Sequence, residues 1–187
     1  MYYKKILAAA LTVSCIGGIV PANSVQAASL KIRYSGKTRY YKGKQLHVSY
    51  ANKNLSSKYV GIQINKVNMI PYYDYLVKQG PKVKRTYSKS SGKLILKNGD
   101  DTLTAYVGKR TYYLNGVKKT FSVAPTKVKY YKTKKTIILI PANAIVKGLG
   151  LNYKYSSSSK RIYITQPVIP SDSTTQVQTQ PVSYTHL

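Results

Sequence analysis

The stretch that decides the fold is Lys135-Thr-Ile-Ile-Leu-Ile-Pro-Ala-Asn-Ala-Ile-Val-Lys-Gly-Leu-Gly150, followed by Leu151-Asn-Tyr-Lys-Tyr155, four serines and Lys160-Arg-Ile-Tyr-Ile-Thr165. Residues 136–140 are apolar or β-branched, which predicts a strand covered on both faces. Pro141 suits the first position of a helix, because its missing N–H costs nothing there. The stretch therefore predicts a buried strand, a short helix and a two-stranded hairpin.

The predicted helix has an apolar stripe at helical spacing, formed by Ala142, Ile145 and Leu149. Gly148 and Gly150 follow where a helix should end, and glycine is the residue that most readily stops one. The module is thus bounded by Pro141 on one side and by these two glycines on the other.

The same module occurs earlier in the chain when Pro71 is placed on Pro141. Met-Ile-Pro then matches Leu-Ile-Pro, and Gly80 matches Gly150. Tyr73, Leu76 and Val77 give the helical stripe, and a hairpin follows. The second copy is about two residues shorter, which we assign to the hairpin turn because turns tolerate insertions. Two copies predict an α+β, mostly β fold, with antiparallel sheets packed on two short helices and built from two related β-α-β-β modules.

The rest of the chain divides around these modules. We expect a signal peptide at 1–27, a β-hairpin and strand region at 28–58, and a domain at 59–165 with modules at 59–97 and 128–165. A hairpin region at 102–122 joins the modules, and Asn115-Gly116 within it predicts a two-residue turn. Residues 52–58 suggest a loop, and 59–67 suggest one strand leading to the first module.

The first 27 residues have the pattern of a secretion signal. Lys4 and Lys5 precede an apolar segment, and Val25-Gln-Ala27 is a small-residue cleavage site. We therefore expect a secreted protein, extracellular or associated with the cell wall, without stable membrane insertion after cleavage. Two alternatives remain open, a membrane anchor and lipid attachment at Cys15, the only cysteine.

The C-terminal residues 166–187 read as a linker and tail. Proline, serine, threonine and glutamine dominate up to residue 180, which is typical of a flexible linker. The closing Pro181-Val-Ser-Tyr-Thr-His-Leu187 resembles a translated sequencing adapter. We therefore expect a truncated gene whose linker tethered a further part.

Charge restricts the partners more than any motif does. The chain has 31 lysines and arginines against 4 aspartates, no glutamate and a formal net charge of +27. Such a field attracts polyanions, which outside a cell include anionic wall polymers, peptidoglycan, membrane surface and nucleic acid. Solubility alone remains an alternative explanation. The 20 tyrosines suit half-buried strands, and they could also stack on sugars or bases.

The titratable residues argue against catalysis. The carboxylates are Asp74, Asp100, Asp101 and Asp172, and the histidines are His47 and His186. Carboxylate pairs, zinc sites and Ser/His/Asp triads need more acids and histidines than this. Asp74 falls in the first turn of the predicted helix, where the helix dipole favours a carboxylate. We expect no catalytic residue, no metal site and no cofactor.

The doubled module resembles the copper amine oxidase N-terminal-like domain, also called the stalk domain. The resemblance rests on Ile70-Pro71-Tyr-Tyr-Asp74, Ile140-Pro141-Ala, the Gly-Leu-Gly-Leu151-Asn-Tyr153 segment and the Tyr-Leu-Asn-Gly116 hairpin. It covers about residues 29 to 165. The resemblance implies a non-catalytic module of bacterial surface proteins, often preceding a wall-active domain. The copper-binding histidines and modified tyrosine of the oxidases belong to a separate catalytic domain.

We therefore expect a secreted, non-catalytic cell-envelope module that attaches to or spaces from the anionic wall. One alternative is the accessory domain of a truncated wall hydrolase, such as an N-acetylmuramoyl-L-alanine amidase. A second alternative is an extracellular nucleic-acid binder. The first copy has Tyr72-Tyr73-Asp74 where the second has Ala142-Asn143-Ala144, so the two helices need not present equivalent surfaces.

Overall fold

The structure is a computed structural model that describes residues 29–168. Its elements in chain order are β1 (Leu30–Tyr34), β2 (Lys37–Tyr41), β3 (Gln45–Tyr50), β4 (Lys53–Leu55), β5 (Gly61–Ile64), β6 (Val67–Pro71), a first helix (Tyr73–Gln79), β7 (Lys84–Tyr87), β8 (Lys93–Asn98), β9 (Asp101–Tyr106), β10 (Thr111–Leu114), β11 (Val117–Thr120), β12 (Thr126–Tyr130), β13 (Lys135–Pro141), a second helix (Ala142–Gly148), β14 (Asn152–Ser156) and β15 (Arg161–Thr165). Strands predominate, so the mostly β class is confirmed. The predicted signal peptide and adapter-like tail lie outside the described residues.

The strands form two sheets. The larger sheet has the order β14–β15–β3–β5–β6–β13–β12–β1–β2, with β4 paired to β3, and the smaller has the order β11–β10–β9–β8–β7. Neighbouring strands are antiparallel except β3 and β15, which run parallel. This pair is an exception, among the described strands, to the antiparallel pairing that the sequence predicted, because the second module places its last strand beside a strand from the N-terminal region.

The strand–helix–hairpin succession occurs twice. The first unit is β6, the first helix, β7 and β8; the second unit is β13, the second helix, β14 and β15. Strands β6 and β13 pair antiparallel with Ile70 directly opposite Ile140, while Pro71 faces Leu139 and Pro141 faces Met69. An approximate twofold axis therefore passes between the two isoleucines.

The length difference between the units is not in the hairpin turn, so that prediction is wrong. Tyr87 pairs with Leu94, and Tyr155 pairs with Ile162, the same number of residues apart in both units. The first unit instead has two additional residues, 81–82, between its helix and β7. The hairpins are constrained by sheet pairing, whereas the segment after the helix is free to lengthen.

The prolines precede the helices instead of starting them, Pro141 by one residue and Pro71 by two. Pro141 ends β13 and caps the second helix, with φ −64° and ψ 104°, instead of occupying the first helical position. Pro71 likewise ends β6, and the first helix begins at Tyr73. Both prolines lie in the register of the β6–β13 pair, which keeps them extended.

The two helices differ in type. The first is a π-helix that buries Tyr75 and Leu76 and leaves Tyr73 45% exposed. Tyr73 therefore does not belong to the buried stripe that the sequence predicted, because the wider π turn changes which side chains face the core. The second is an α-helix, and its predicted stripe of Ala142, Ile145 and Leu149 is confirmed as fully buried.

The sequence did not predict two turns that lack glycine. Residues 59–67 are not one strand, because the chain reverses between β5 and β6 at Asn65 and Lys66, whose φ values are 48° and 64°. The predicted loop at 52–58 contains β4, which follows a similar reversal at Ala51 and Asn52. The hairpin of β10 and β11 at Asn115-Gly116 is confirmed.

Two apolar cores hold the sheets together. The first fills the space between the larger sheet, the helices and the smaller sheet, and includes Ile70, Ile140, Leu76, Val146, Leu94 and Leu103. The second lies against the opposite face of the larger sheet and includes Ile32, Ile62, Met69, Val128, Tyr130 and Leu139. Burial of these side chains supplies the main driving force for folding.

The larger sheet curls around the second core. The hydroxyl oxygen of Tyr41 on β2 accepts a hydrogen bond from the backbone N–H of Gln63 on β5 at 2.8 Å. Strands β2 and β5 are far apart in the order of the sheet, so this contact brings two distant strands together. The outer surface of β2, β1 and β12 is thereby turned toward solvent. Within residues 29–168, neither helix is long and apolar enough to cross a membrane.

Candidate functional site

The outer surface of β2, β1 and β12 carries two cross-strand rows of side chains. Lys31 lies opposite Tyr40, and Arg33 lies between Thr38 on one side and Lys129 on the other. Side chains directly opposite each other on antiparallel strands share one face. Tyr131 continues the first row, because its N–H donates to the Lys31 carbonyl at 3.1 Å. We call this surface the basic-aromatic face; its residues are Lys31, Arg33, Thr38, Tyr40, Lys129 and Tyr131.

Cations lie over the aromatic rings of this face. The Lys31 Nζ is 5.5 Å from the Tyr40 ring centroid and 5.1 Å from that of Tyr131. The Lys129 Nζ is 5.5 Å from the same Tyr131 ring. Such cation–π contacts hold long lysine side chains in place at an exposed site. The positive charges of the face are therefore positioned by their neighbours.

The pKa of the Tyr131 phenol reflects its polar and charged neighbours. Its hydroxyl is 2.9 Å from the Thr38 Oγ1. This hydrogen bond, together with the nearby charges of Lys129, Arg33 and Lys31, lowers the pKa of Tyr131 below its usual value of 10.0. Positive charge favours the ionised phenol for the same reason that it favours any bound anion. The face is thus a place where negative charge is stabilised.

A groove of about 630 Å³ adjoins this face. It runs between the β1–β2 turn, β12 and the turn that joins β7 to β8, so it bridges the two sheets. Its cations are Arg33, Lys89, Lys127 and Lys129, and none of the described residues lining it is acidic. We call it the basic groove. A concave site with charges of one sign focuses the electrostatic field more strongly than a flat surface does.

Hydroxyl groups complete the wall of the basic groove. The turn at 88–92 supplies Ser90, Ser91 and Gly92 to its lining. The Ser88 hydroxyl lies 3.1 Å from that of Ser90 and accepts from that of Ser91 at 3.0 Å, which fixes the turn. Hydroxyls and ammonium groups side by side are suited to phosphate or carboxylate oxygens.

The carboxylates lie elsewhere. Asp74, in the first turn of the first helix, accepts a hydrogen bond from the Ser57 hydroxyl. Asp101 accepts from the Asn115 side-chain amide at 2.9 Å. Neither aspartate lines the basic groove, so its cations are not neutralised by them. The described residues contain no group of three or more histidines, cysteines and acids that could hold a metal ion.

The motif residues that the sequence singled out lie at structural positions. Pro71 and Pro141 end the paired strands β6 and β13, and Gly80 follows the first helix. A Cβ at Gly80 would come within 2.1 Å of the Tyr75 carbonyl oxygen. No side chain fits there, so glycine is required by close packing of the backbone.

The remaining motif residues lie in or near the turn between β10 and β11. Gly150 has φ +70°, and a Cβ there would lie 2.6 Å from the Asp101 Oδ2. Asn115 and Gly116 form the two-residue turn with φ 49° and 82°, and Gly148 ends the second helix. Neither these seven motif residues nor Asp74 lines the basic groove. They shape the scaffold and not the charged surface.

The sequence predicted a basic surface but not the basic groove. The cations of the groove are Arg33 on β1, Lys89 in the turn between β7 and β8, and two lysines of β12, Lys127 and Lys129. No local pattern links these positions, because sheet pairing and packing between sheets bring them together. A usable signal was the alternation of Lys31, Arg33, Lys127 and Lys129, which places basic side chains on one face of each strand.

Comparison with known proteins gives one match. The family model described as copper amine oxidase N-terminal domain matches residues 51–164. No curated protein matches the chain. No solved structure matches it either. The matched range contains both strand–helix–hairpin units and the smaller sheet, whereas β1, β2 and β3 precede it.

Proposed function

The chain belongs to the copper amine oxidase N-terminal domain family, a non-catalytic module, and from this premise we propose that it is an exported attachment module that binds anionic polymers of the cell envelope. The observation that carries the proposal is the basic groove, where four cations and a serine turn face one another with no described acid in the lining. Export is supported by the signal-like sequence at 1–27.

The chemistry of the groove favours a flexible chain of anionic groups. The groove has a volume of about 630 Å³, and its cations come from both sheets. A polymer with repeated phosphates or carboxylates can place successive groups against Arg33, Lys129 and Lys89. The energy of each contact is small at an exposed site, so affinity comes from several contacts along one chain. Phosphate-bearing wall polymers such as teichoic acids fit this description.

Nucleic acid is the less favoured ligand. Binding of single strands relies on aromatic faces that stack on bases. On the basic-aromatic face, the ring of Tyr131 has the ammonium groups of Lys31 and Lys129 over it, and the Tyr40 ring has Lys31. Rings engaged by lysines are poor stacking platforms. The surface therefore offers charge for a backbone without readily offering platforms for bases.

The test compares two variants that remove equal charge. Arg33→Gln with Lys127→Gln changes the groove, while Lys118→Gln with Lys119→Gln changes exposed β11 on the smaller sheet. Retention on purified phosphate-rich cell walls should fall about tenfold or more for the groove variant and less than about threefold for the control.

Equal losses in both variants would show that net charge, and not the groove, determines binding. Binding to DNA that is tighter than to walls, and equally sensitive to the groove variant, would assign the site to nucleic acid instead. Circular dichroism on both variants verifies that the fold is kept.

A further inference from the structure

A second concave site lies at the start of the second helix. This pocket of about 340 Å³ shares no lining residue with the basic groove. Two tyrosines of β14 form part of its wall. We call it the tyrosine pocket; the residues used below are Tyr153, Tyr155, Asn143, Ala144, Asn68 and Ser122.

The pocket exists because the two units differ in side-chain size. The register of the hairpins makes Arg85 and Tyr87 the counterparts of Tyr153 and Tyr155. In the first unit the Arg85 guanidinium stacks on the Tyr73 ring, with its Cζ 4.7 Å from the ring centroid. Position 73 corresponds to Asn143 in the second unit, so a short amide stands where the first unit has a ring.

A second ring is missing beside the first. Tyr72 is buried in the first unit and packs edge-on against Tyr73, with centroids 6.5 Å apart. Its counterpart in the second unit is Ala142. Two phenol rings are thus replaced by a fully buried alanine and by Asn143, which lines the pocket, and β14 has Tyr153 where the first unit has Arg85. The result is a ring-sized space with aromatic walls.

The polar groups around this space are prearranged. The Gln63 side-chain amide donates to the Asn68 Oδ1 at 2.8 Å, and the Asn68 Nδ2 donates to the Tyr153 hydroxyl oxygen at 2.8 Å. Because the Tyr153 oxygen accepts from Asn68, its own proton is available to a ligand. A donor fixed by a chain of hydrogen bonds loses little entropy on binding.

The pocket wall also has unmet hydrogen-bonding capacity. The Tyr155 hydroxyl oxygen is buried and has no hydrogen-bond partner among the described residues. An unpaired buried hydroxyl is costly and uncommon in native structures. A change in χ1 that turns the Tyr155 side chain into the pocket would give this hydroxyl a ligand partner.

From this geometry we propose that the tyrosine pocket binds an uncharged sugar ring. A pyranose has apolar C–H faces that pack against tyrosine rings and hydroxyls that pair with amides and hydroxyls. The Asn143 amide and the Ser122 hydroxyl are both exposed at the pocket and provide such partners. The ligand is a saccharide ring standing where the first unit has its own tyrosine.

The charges around the pocket agree with a neutral ligand. Lys66 is the one charged residue among the described residues that line it, and it is exposed. No lining carboxylate is present to attract a cation. Binding should therefore respond little to salt, unlike binding at the basic groove. This difference lets the sugar site and the anion site fail or succeed independently.

The test titrates the purified protein with two soluble, uncharged probes, a β-1,4-linked N-acetylglucosamine tetramer and a β-1,4-linked glucose tetramer. Amide chemical shifts should move at Asn143, Ala144 and β14, with a Kd for at least one probe on the order of 0.1–1 mM. The Kd should change less than about twofold between low and high salt.

Matched variants locate the site. Asn143→Tyr restores the ring of the first unit and should abolish binding, whereas Tyr73→Asn makes the reverse change in the first unit and should leave the Kd unchanged. Tyr155→Phe removes the unpaired hydroxyl; it should weaken binding several-fold while leaving Tm unchanged or higher.

The proposal is overturned if neither probe shifts these resonances, or if Asn143→Tyr and Tyr73→Asn have the same effect. It is also overturned if Tyr155→Phe raises Tm and leaves the Kd unaltered, since the hydroxyl would then be unrelated to binding.

Discussion

Tyrosine has two distinct roles in this chain, and single residues show the contrast. Tyr75 and Tyr130 are buried, and their hydroxyls donate to the backbone carbonyls of Tyr59 at 3.4 Å and Val60 at 2.5 Å. Tyr40, by contrast, is 58% exposed on the basic-aromatic face. The buried phenols join the first core, through Tyr75, and the second core, through Tyr130, to the segment before β5, while exposed phenols position lysines.

Burial gives the fold a predictable response to alkaline pH. It is the largest cause that raises the pKa of Tyr75 to about 12, and it also raises the pKa of Tyr130. In the unfolded chain these phenols ionise near 10, so between pH 10 and 12 only the unfolded state loses their protons. The free energy of unfolding should be constant from pH 7 to 9 and fall by roughly 2 kcal/mol or more above pH 10.

Urea denaturation followed by circular dichroism at a series of pH values measures this fall. Tyr75→Phe should make the decline shallower, and Tyr40→Phe, which changes an exposed phenol, should leave it as it is. A free energy of unfolding that stays level up to pH 12 would contradict the account of buried phenols.

At the scale of elements, the unusual feature is the parallel pair of β3 and β15. Arg161 on β15 donates from Nη1 to the Ser49 Oγ at 3.0 Å and to the Asn54 Oδ1 at 2.6 Å. The Ser49 hydroxyl, which is buried, donates to the same Asn54 oxygen at 2.8 Å. One guanidinium thus ties together β15, β3 and β4 at the place where the second unit meets the N-terminal strands.

Removing this tie should destabilise the protein measurably. Arg161→Ala should lower the free energy of unfolding by about 1–3 kcal/mol, because the buried Ser49 loses a partner that is charged. The Asn54→Ala change should be non-additive with it, with a coupling of about 0.5 kcal/mol or more. Lys154→Ala, at an exposed position of β14, is the control and should change the free energy of unfolding by less than about 0.5 kcal/mol.

A double-mutant cycle by urea denaturation gives these values. Strictly additive effects of the Arg161 and Asn54 changes would show that the three strands are held by backbone pairing alone.

The elements show which parts of a fold a sequence can reveal. The Asn115-Gly116 turn was predictable, because glycine and asparagine adopt positive φ at little cost. The Asn65–Lys66 turn was not, since lysine gives no such signal and the apolar pattern continues across it. Local patterns also gave no indication of the π-helix at Tyr73–Gln79, whose widened turn changes the buried face.

Pairing between strands that are distant in sequence is the other feature that the sequence did not predict. The repeat at Pro71 and Pro141 predicted that two modules build the core, and the modules do pair through Ile70 and Ile140, but their hairpins lie in different sheets. Nothing in residues 161–165 indicates a parallel partner over 100 residues earlier. For the same reason the sequence predicted a basic surface but not the groove, which depends on the distance between two sheets.

At the scale of the whole molecule, charge and shape act together. With 31 cationic residues against 4 acidic ones, most of the surface repels other cations and attracts polyanions. The described acids lie in turns and at a helix start, away from the basic groove. The cations of the basic groove are therefore not neutralised by the described acids.

The two sites proposed for this molecule would bind different parts of an envelope polymer. The basic groove takes charged groups of an envelope polymer, and the tyrosine pocket takes a neutral ring. Two weak sites on one rigid fold give avidity toward a surface that presents both chemistries, provided that one polymer or one wall can reach both.

The central claim is that positive charge attaches this module to anionic polymers, and salt tests it most directly. Retention of the purified protein on phosphate-rich walls should fall steeply as sodium chloride rises from about 0.05 to 0.5 M, and walls stripped of phosphate should retain little at any salt concentration. Retention that is unchanged up to about 1 M salt, or equal on stripped walls, would contradict the claim.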